Sequence, residues 1–236
     1  MITTEAYFES VDSTMEAARE AAAFQDFLLV SADRQTRGRG TRGRAWQSLS
    51  GNIHMTVGIN RRHLPPERLS LFPLELGVLL WEEAAAQVSP ARRSDLTLKW
   101  PNDLLAGGKV AGVLTEPHGD FLMAGIGINV SHAPEVEDGG APSACLSELG
   151  MPAQAKEALR DGLYRRLVAA LGPGGGSDPE KVLLEWQGKV DWTRRHRLRD
   201  REGQPWVLPL GVNRQGHLRV RGEDGREEWL VSEYLL

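Results

Sequence analysis

The feature that most constrains this chain is a run of arginine and glycine between two short apolar segments. From Arg34 to Arg44 the sequence holds five arginines, and glycines 38, 40 and 43 alternate with them. Glycine tolerates irregular backbone and lets it approach a ligand closely. Each guanidinium offers a planar fork of donors that fits carboxylate or phosphate oxygens. The pattern predicts a loop that wraps an anion; a solvated basic loop or a nucleic-acid patch of RG type is the alternative.

Composition narrows the function classes. The 236 residues carry a formal net charge of −4, with 41% apolar and 25% charged residues, as in an average soluble globular protein. The acidic balance argues against bulk binding to nucleic acid or to an anionic membrane. Cys145 is the single cysteine, which excludes a disulfide framework and a thiolate metal site. No signal-peptide pattern and no apolar run of about 18 residues is present, so we expect a cytoplasmic protein.

The segment before the loop predicts strand, helix and strand. Residues 5–11 alternate as in a strand, and an alanine-rich run from 15 to 23 predicts a helix. Ser13 is the expected N-cap, with Glu16 completing a capping box. Hydroxyls and free N–H groups at a helix start could also bind a small polar ligand. Residues 27–31 form the apolar run that leads into the loop.

After the loop, the sequence predicts a strand over residues 53–59 and a helix over residues 69–88. It then predicts a strand over residues 96–100, which ends at Pro101. The strand end carries Lys99-Trp-Pro-Asn-Asp103, a cluster typical of functional sites and also good turn chemistry. Gly107-Gly108 indicates a hairpin, followed by a strand over 109–116 that begins with a lysine. A further strand over 121–130 contains Gly125 and Gly127, which indicates close approach by another group.

The remaining chain changes character near Trp192. Residues 132–142 predict a mobile loop, and residues 145–149 predict a turn or a short helix. We expect helices over 152–171 and 178–187, joined by a flexible glycine-rich segment at 172–177. Short strands over 194–201, 206–212, 216–221 and 227–235 predict a small β-barrel. The six histidines show no metal-ligand spacing.

In their order, the Arg–Gly loop, Lys-Trp-Pro-Asn-Asp, Gly-Lys-Val-Ala-Gly and Gly-Ile-Gly-Ile-Asn resemble the biotin–protein ligases along essentially the whole chain. The resemblance implies an α+β catalytic domain over 1–191, a mixed sheet flanked by helices as in class II aminoacyl-tRNA synthetases, and an SH3-like β-barrel over 192–236. It also implies the short, single-function form without an N-terminal DNA-binding domain.

The activity implied by the resemblance has two steps. The biotin carboxylate attacks the α-phosphate of ATP, accompanied by Mg²⁺, giving biotinyl-5′-AMP and pyrophosphate. A lysine on the biotin carboxyl carrier domain of a carboxylase, such as acetyl-CoA carboxylase, then takes the biotin. The expected partners are thus biotin, ATP and the carrier domain, with no nucleic acid and no membrane, and possibly a second copy in a homodimer.

The resemblance also assigns roles to residues. Lys109 and Arg39 would be catalytic, and Asp103 could lie near magnesium without coordinating it directly. Gly112, Gly125 and Gly127 would keep the floor of the site thin. The implied biotin-binding residues are Ser13, Thr14, Met15, Gln35, Arg39, Gly40, Thr41, Lys109 and Gly112. The implied nucleotide-binding residues are Arg39, Arg42, Trp46, Asn102 and Asn129.

Two positions depart from the family pattern. Met15 stands where the family usually has asparagine, which removes an amide near biotin. Thr41 stands where the family usually has a fourth-position arginine that would help hold the adenylate. Either Arg37 or Arg42 compensates, or the chain holds biotinyl-AMP loosely.

Three other readings stay open at this point. A ligase of the same fold could act on lipoate or octanoate. The basic loop could serve a nucleic-acid-binding module, which would show salt-sensitive binding. A biotin-binding sensor without catalysis is the third, although Arg39 and Lys109 argue against it.

Overall fold

The computed structural model describes residues 3–22, 25–135, 142–171, 175–199, 201–231 and 235. Within these residues, none of the helices combines the length and the apolar character that crossing a bilayer would require. The side chain of Arg42 is also outside the description.

The chain opens with β1 (Thr3–Val11), α1 (Thr14–Ala21) and β2 (Phe27–Gln35). β1 and β2 are parallel, with α1 as the crossover. β2 continues four residues beyond its predicted end, and Gln35 pairs with Val11. The Arg–Gly loop therefore starts beside the first turn of α1, which places its charges next to the helix start.

Five strands complete the main sheet: β3 (Ile53–Asn60), β4 (Thr97–Lys99), β5 (Asp103–Ala106), β6 (Gly108–His118) and β7 (Phe121–Ile128). The order is β1-β2-β3-β7-β6-β5-β4, with every pair antiparallel except the first. The hairpin predicted at Gly107-Gly108 is confirmed, since Gly107 has φ +72° between β5 and β6. The sheet is mixed, as predicted.

The helices on the larger core are α2 (Pro66–Gln87), α3 (Lys156–Leu171) and α4 (Pro179–Gln187). α2 begins three residues before its predicted start because a proline suits the first helical turn. α3 begins later than predicted, since residues 153–155 form a separate 3₁₀ turn. The turn expected at 145–149 is a 3₁₀ helix, Leu146–Leu149. Parts of the predicted loop and joint, 136–141 and 172–174, lie outside the described residues.

Two apolar cores flank the main sheet. The smaller one joins α1 to one face through Met15, Ala18, Leu28, Val30 and Met123. The larger core covers the other face and includes buried residues of α2, α3 and α4. Helices therefore cover both faces, and α1 places its first turn over the strands that bear the site residues.

The C-terminal segment forms a second, four-stranded antiparallel sheet. It comprises β8 (His196–Arg197), β9 (Trp206–Val212), β10 (Leu218–Gly222) and β11 (Glu227–Leu230), in the order β11-β10-β9-β8. The strand predicted over 194–201 is much shorter: only His196–Arg197 form a strand with β9, while Leu198 donates to Pro205 O at 3.0 Å and also forms a bridge with Leu235. The last predicted strand ends at Leu230, and its residues 232–234 lie outside the description. Within the described residues this sheet is open, not closed into a barrel.

Candidate active site

A cavity of about 410 Å³ lies between the start of α1, the Arg–Gly loop and strands β3, β6 and β7. Its volume is in the range typical of small-molecule sites. The structure brings most of the predicted site residues to its wall: Ser13, Thr14, Met15, Gln35, Arg39, Gly40, Thr41, Trp46, Asp103, Lys109, Gly112 and Asn129. Arg199 and Leu235, from the C-terminal segment, complete the lining.

The Arg–Gly loop is a structured hairpin. Arg39 and Ala45 form an antiparallel bridge, and Gly40 N donates to Arg44 O at 2.8 Å. A 3₁₀ turn, Thr41–Gly43, closes the tip, where Gly43 has φ +74°. Arg44 lies along this turn, with Nη2 donating to Thr41 Oγ1 at 2.8 Å. The glycines thus let the loop turn back over the cavity.

Ser13 is the N-cap of α1, but the predicted capping box is wrong. The Ser13 hydroxyl makes no capping bond. Glu16 instead faces Arg39, with Oε1 3.0 Å from Nη2. Ser13 is buried and lines the cavity, so its hydroxyl is available to a ligand.

A chain of polar groups runs from β3 through α1 to the loop. Thr14 donates through N and Oγ1 to Gln35 Oε1, at 2.9 and 3.1 Å. Its hydroxyl also meets Thr56 Oγ1 at 2.9 Å, and Gln35 Nε2 donates to Ser48 Oγ at 3.1 Å. These bonds fix the hydroxyl and amide positions on the wall before any ligand arrives, which favours selective polar recognition.

Two lysines share one carboxylate in the cavity. Asp103 Oδ1 lies 2.6 Å from Lys109 Nζ, and Oδ2 lies 3.1 Å from Lys99 Nζ. Burial alone would raise the pKa of Asp103, but the charges of Lys109 and then Lys99 outweigh it and bring the pKa to about 2. Burial lowers the pKa of Lys99, which also donates to Leu235 O at 2.9 Å. The three groups form a rigid array with one surplus positive charge.

Three glycines make room for three side chains of the site. A Cβ at Gly112 would lie 2.6 Å from Lys109 Nζ. One at Gly127 would lie 2.3 Å from the Trp46 ring, and one at Gly125 would lie 3.0 Å from Met15 Cε. The groups that the glycines were expected to admit are therefore side chains of the chain itself.

Two polar atoms of the cavity lining, Asn129 Oδ1 and Trp46 Nε1, are buried and have no hydrogen-bond partner among the described residues. Asn129 Nδ2 donates to the carbonyl oxygens of Lys109 and Ala144, at 3.1 and 3.2 Å. Its oxygen is therefore an acceptor without a donor, and such a group is costly unless a ligand supplies one. Lys109 Nζ lies 5.9 Å from the centroid of the Trp46 ring, within cation–π range.

Arg39 is held by two carboxylates at the mouth of the loop. Its Nη2 lies 3.0 Å from Glu16 Oε1 and 3.1 Å from Glu116 Oε2. Arg19 also pairs with both carboxylates. Two arginines thus balance two glutamates in one cluster, and Arg39 is positioned without being fully exposed.

Three predicted positions are not placed on the wall. Asn102 is absent from the cavity lining, and its Nδ2 donates to Val113 O on β6, which gives it a structural bond. Arg37 pairs with Asp12, and its side chain is 78% exposed. The structure thus shows Arg37 on Asp12 and outside the cavity lining, the side chain of Arg42 is not described, and compensation for Thr41 by either arginine stays a prediction.

Sequence reasoning missed residues whose role depends on distant pairing. Asn52 Oδ1 accepts the N–H groups of Val130, Ser131 and His132 at 3.0–3.2 Å, which fixes the segment that follows Asn129. The other omissions are Thr56, Glu16 as a partner of Arg39, Glu116, Arg44, Arg199 and Leu235. Only Arg44 carried a local signal, because it belongs to the arginine run.

The comparisons with known proteins agree with this geometry. The model of the biotin/lipoate A/B protein ligase family matches residues 7–131. The biotin–[acetyl-CoA-carboxylase] ligase of Mycobacterium tuberculosis is 32% identical over 173 residues, which are 72% of this chain and 64% of that protein. The chain therefore spans a little under two thirds of that relative's length.

Two solved structures share the fold over nearly the whole chain. The biotin protein ligase from Aquifex aeolicus, in complex with biotin and ATP, has a TM-score of 0.80 at 26% identity, covering 99% of this chain and 97% of that one. The biotin protein ligase from Leishmania major, in complex with biotinyl-5-AMP, has a TM-score of 0.74 at 28% identity, covering 97% and 99%. Since the family model matches more than half of the sequence, this chain belongs to the biotin/lipoate A/B protein ligase family.

Proposed function

We propose that the chain attaches biotin to a lysine of a biotin carboxyl carrier domain, by way of biotinyl-5′-AMP and with release of pyrophosphate. The observation that carries the proposal is the Lys109–Asp103 pair, at 2.6 Å, in a cavity that also presents the Arg–Gly loop. The relatives' names, and the biotin, ATP and biotinyl-5-AMP in the related structures, support this choice of substrates.

In the first step, an oxygen of the biotin carboxylate attacks the α-phosphorus of ATP. The bond from that phosphorus to the bridging oxygen breaks, and its electron pair leaves with pyrophosphate. Both reactants are anions, so fixed positive charge at their meeting point lowers the barrier. Lys109 supplies that charge in this proposal, because Asp103 and the Trp46 ring fix its ammonium group. Arg39 adds a second charge from the loop.

Two groups of polar atoms in the lining suggest where the substrates bind. The Ser13 hydroxyl and the Thr14–Gln35 network offer donors and acceptors for the polar ring of biotin. Asn129 Oδ1, which is buried and unpartnered, could accept a bond from the adenine amino group. Trp46 lines the same cavity and packs against Gly127 of β7, so we propose that its ring contacts the adenylate.

In the second step, the amine of an acceptor lysine attacks the carbonyl carbon of the mixed anhydride, and AMP leaves. A carrier domain of a carboxylase as the acceptor is suggested by the Mycobacterium relative's name. This step needs no nucleophile on the enzyme, which is consistent with the single, buried cysteine.

Magnesium with ATP belongs to the proposal, but the described residues do not form a site for it. No group of three His, Cys, Asp or Glu side chains among them could hold a metal ion. Both oxygens of Asp103 are engaged by lysines. Mg²⁺ would therefore be brought to the site bound to the phosphates of ATP.

The test is pyrophosphate release with ATP and magnesium, with biotin, with lipoate and with neither. We expect release with biotin and its loss in Lys109→Ala. Lys189→Ala is the matched control, because Lys189 also lies over a tryptophan ring, 4.7 Å from that of Trp81, but is absent from the cavity lining. Pyrophosphate release with lipoate but not with biotin would mean that a protein of this fold acts on lipoate. Biotin binding without release would favour a sensor.

Four finer expectations stay predictions: closure of the C-terminal sheet into an SH3-like barrel, a domain boundary after residue 191, assembly as a homodimer, and location in the cytoplasm. A salt-sensitive shift of unmodified nucleic acid would instead favour the nucleic-acid-binding reading of the loop.

A further inference from the structure

Arg199 reaches the cavity from outside the main sheet. It follows β8, and the residue before it, Leu198, pairs with Leu235 in an antiparallel bridge. Both Leu198 and Leu235 are buried, while Arg199 is half-buried and lines the cavity together with Leu235. The Leu198–Leu235 bridge therefore anchors the backbone from which the Arg199 side chain extends to the site.

This wall is connected directly to the lysine pair. Leu235 O accepts a bond from Lys99 Nζ at 2.9 Å, Lys99 contacts Asp103, and Asp103 contacts Lys109. Lys109 in turn faces the Trp46 ring. The cavity thus has a line of contacts from the loop to the C-terminal segment, with Lys109 in the middle and the Arg199 wall at its far end.

The charges of the lining are unevenly neutralised. Among the described residues, five cationic side chains line the cavity, against the carboxylates of Asp103 and Glu135. Lys99 and Lys109 share Asp103, and Arg39 has Glu16 and Glu116. The remaining two cations are Arg44, which rests on the neutral Thr41, and Arg199, for which the described residues include no ion-pair or hydrogen-bond partner.

We infer that Arg199 binds the β- and γ-phosphates of ATP, the part that leaves as pyrophosphate. This rests on the proposed function for the direction of the nucleotide: if the α-phosphate lies at Lys109, the outer phosphates extend along the line of contacts toward Lys99 and Arg199. A half-buried guanidinium that has no carboxylate partner among the described residues is well suited to a multiply charged leaving group, since it donates in a planar fork and stays protonated.

The experiment measures nucleotide binding by calorimetry, with the full chain and biotin present. The probes are an ATP analogue with a methylene group between the α- and β-phosphates, and AMP. We expect Arg199→Gln to lower the affinity for the analogue about tenfold to hundredfold, as for a lost charged hydrogen bond. The affinities for AMP and biotin should stay unchanged. Arg199→Lys should recover part of the loss.

Arg195→Gln is the matched control, because Arg195 lies on the same segment, is exposed and is absent from the lining. If Arg199→Gln binds the analogue as tightly as the unmodified chain does, the inference is overturned. An equal loss of affinity for AMP would overturn it too. The measurement uses no turnover. If pyrophosphate release with biotin fails while the analogue still depends on Arg199, the proposed function falls and the phosphate site stands.

Discussion

Glu116 Oε2, on β6, lies 3.1 Å from the Nη2 of Arg39 in the Arg–Gly loop. The pair joins the loop to the strand that carries Lys109, and the Arg39 side chain is 36% exposed. Both Glu116 and Glu16 contact this one nitrogen, so under the proposed function they would compete with a phosphate of ATP for it.

We expect Glu116→Gln to lower the KM for ATP, because it removes a competitor for Arg39. An exposed ion pair contributes about 0.2–1 kcal/mol, so the decrease should be at most about fivefold. The measurement is the ATP dependence of pyrophosphate release. Glu20→Gln, an exposed position on α1, is the control. A raised KM would mean that Glu116 positions Arg39 instead of restraining it.

Lys109→Ala should raise the barrier of adenylation by about 2–4 kcal/mol, the scale for losing one preorganised charge, or roughly 30- to 1000-fold in rate. Single-turnover formation of biotinyl-AMP measures this step apart from product release. An unchanged rate would remove Lys109 from the mechanism.

Gly112→Ala should impair catalysis without unfolding the chain. The added Cβ would lie 2.6 Å from Lys109 Nζ, a flexible end that can move aside. We expect an unchanged Tm and a rate reduced about 10- to 100-fold by misplacement of the ammonium group. Gly108→Ala is the contrast, because its Cβ would lie 2.7 Å from the backbone of Ser143. That variant should lose stability, and equal Tm losses in both variants would contradict the explanation.

The stability of the chain should fall between pH 6.5 and 4 because of His54. Burial, chiefly, lowers the pKa of this histidine from 6.5 to about 4. In that window the unfolded chain binds a proton that the folded chain excludes, so the unfolding free energy decreases as the pH falls, by roughly 3 kcal/mol in all. Above pH 6.5 the residue is neutral in both states and contributes no pH dependence.

Urea unfolding at several pH values measures this effect. His54→Gln should flatten the dependence in the window, whereas His118→Gln, at an exposed position of β6, should not. If His54→Gln loses as much unfolding free energy between pH 6.5 and 4 as the unmodified chain does, groups other than His54 cause the pH dependence.

Thr41 should make the hold on biotinyl-AMP loose. Thr41→Arg is expected to slow release of the intermediate about tenfold or more, the effect of one charged contact to phosphate. A dilution chase measures release, and labelling of a bystander protein should fall in parallel. Ser50→Arg adds the same charge at an exposed position outside the lining. Tight retention in the unmodified chain, unaffected by Arg37→Ala and Arg42→Ala, would overturn both hypotheses about this position.

Local patterns predicted most of the main sheet, because alternation and turn residues are properties of neighbouring positions. They also drew attention to Lys109 and Asp103. They could not predict that Glu16 and Glu116 meet at Arg39, since that depends on how α1 crosses the sheet. The capping box failed for the same reason: Glu16 has the right spacing from Ser13, but guanidinium groups compete for its carboxylate.

The C-terminal segment shows the same limit. Alternation predicted a long strand from 194 to 201, yet only His196–Arg197 form a strand with β9, and Leu198 also forms a bridge with the distant Leu235. Arg199 looked like an ordinary surface arginine in the sequence. Only the bridge at Leu198 brings it to the cavity.

The glycines of β6 and β7 that line the cavity, Gly112, Gly125 and Gly127, also allow the shape of the cavity to be changed by substitution. At Gly125 an added methyl group would lie 3.0 Å from the tip of Met15, a flexible end, and 3.8 Å from both Leu114 O and Thr56 Oγ1. A ligand analogue that lacks a group at the corresponding position could fit beside the added methyl group. The strand β7 is therefore a place to build an orthogonal enzyme–substrate pair, in which the altered chain uses an analogue that the unmodified chain binds poorly.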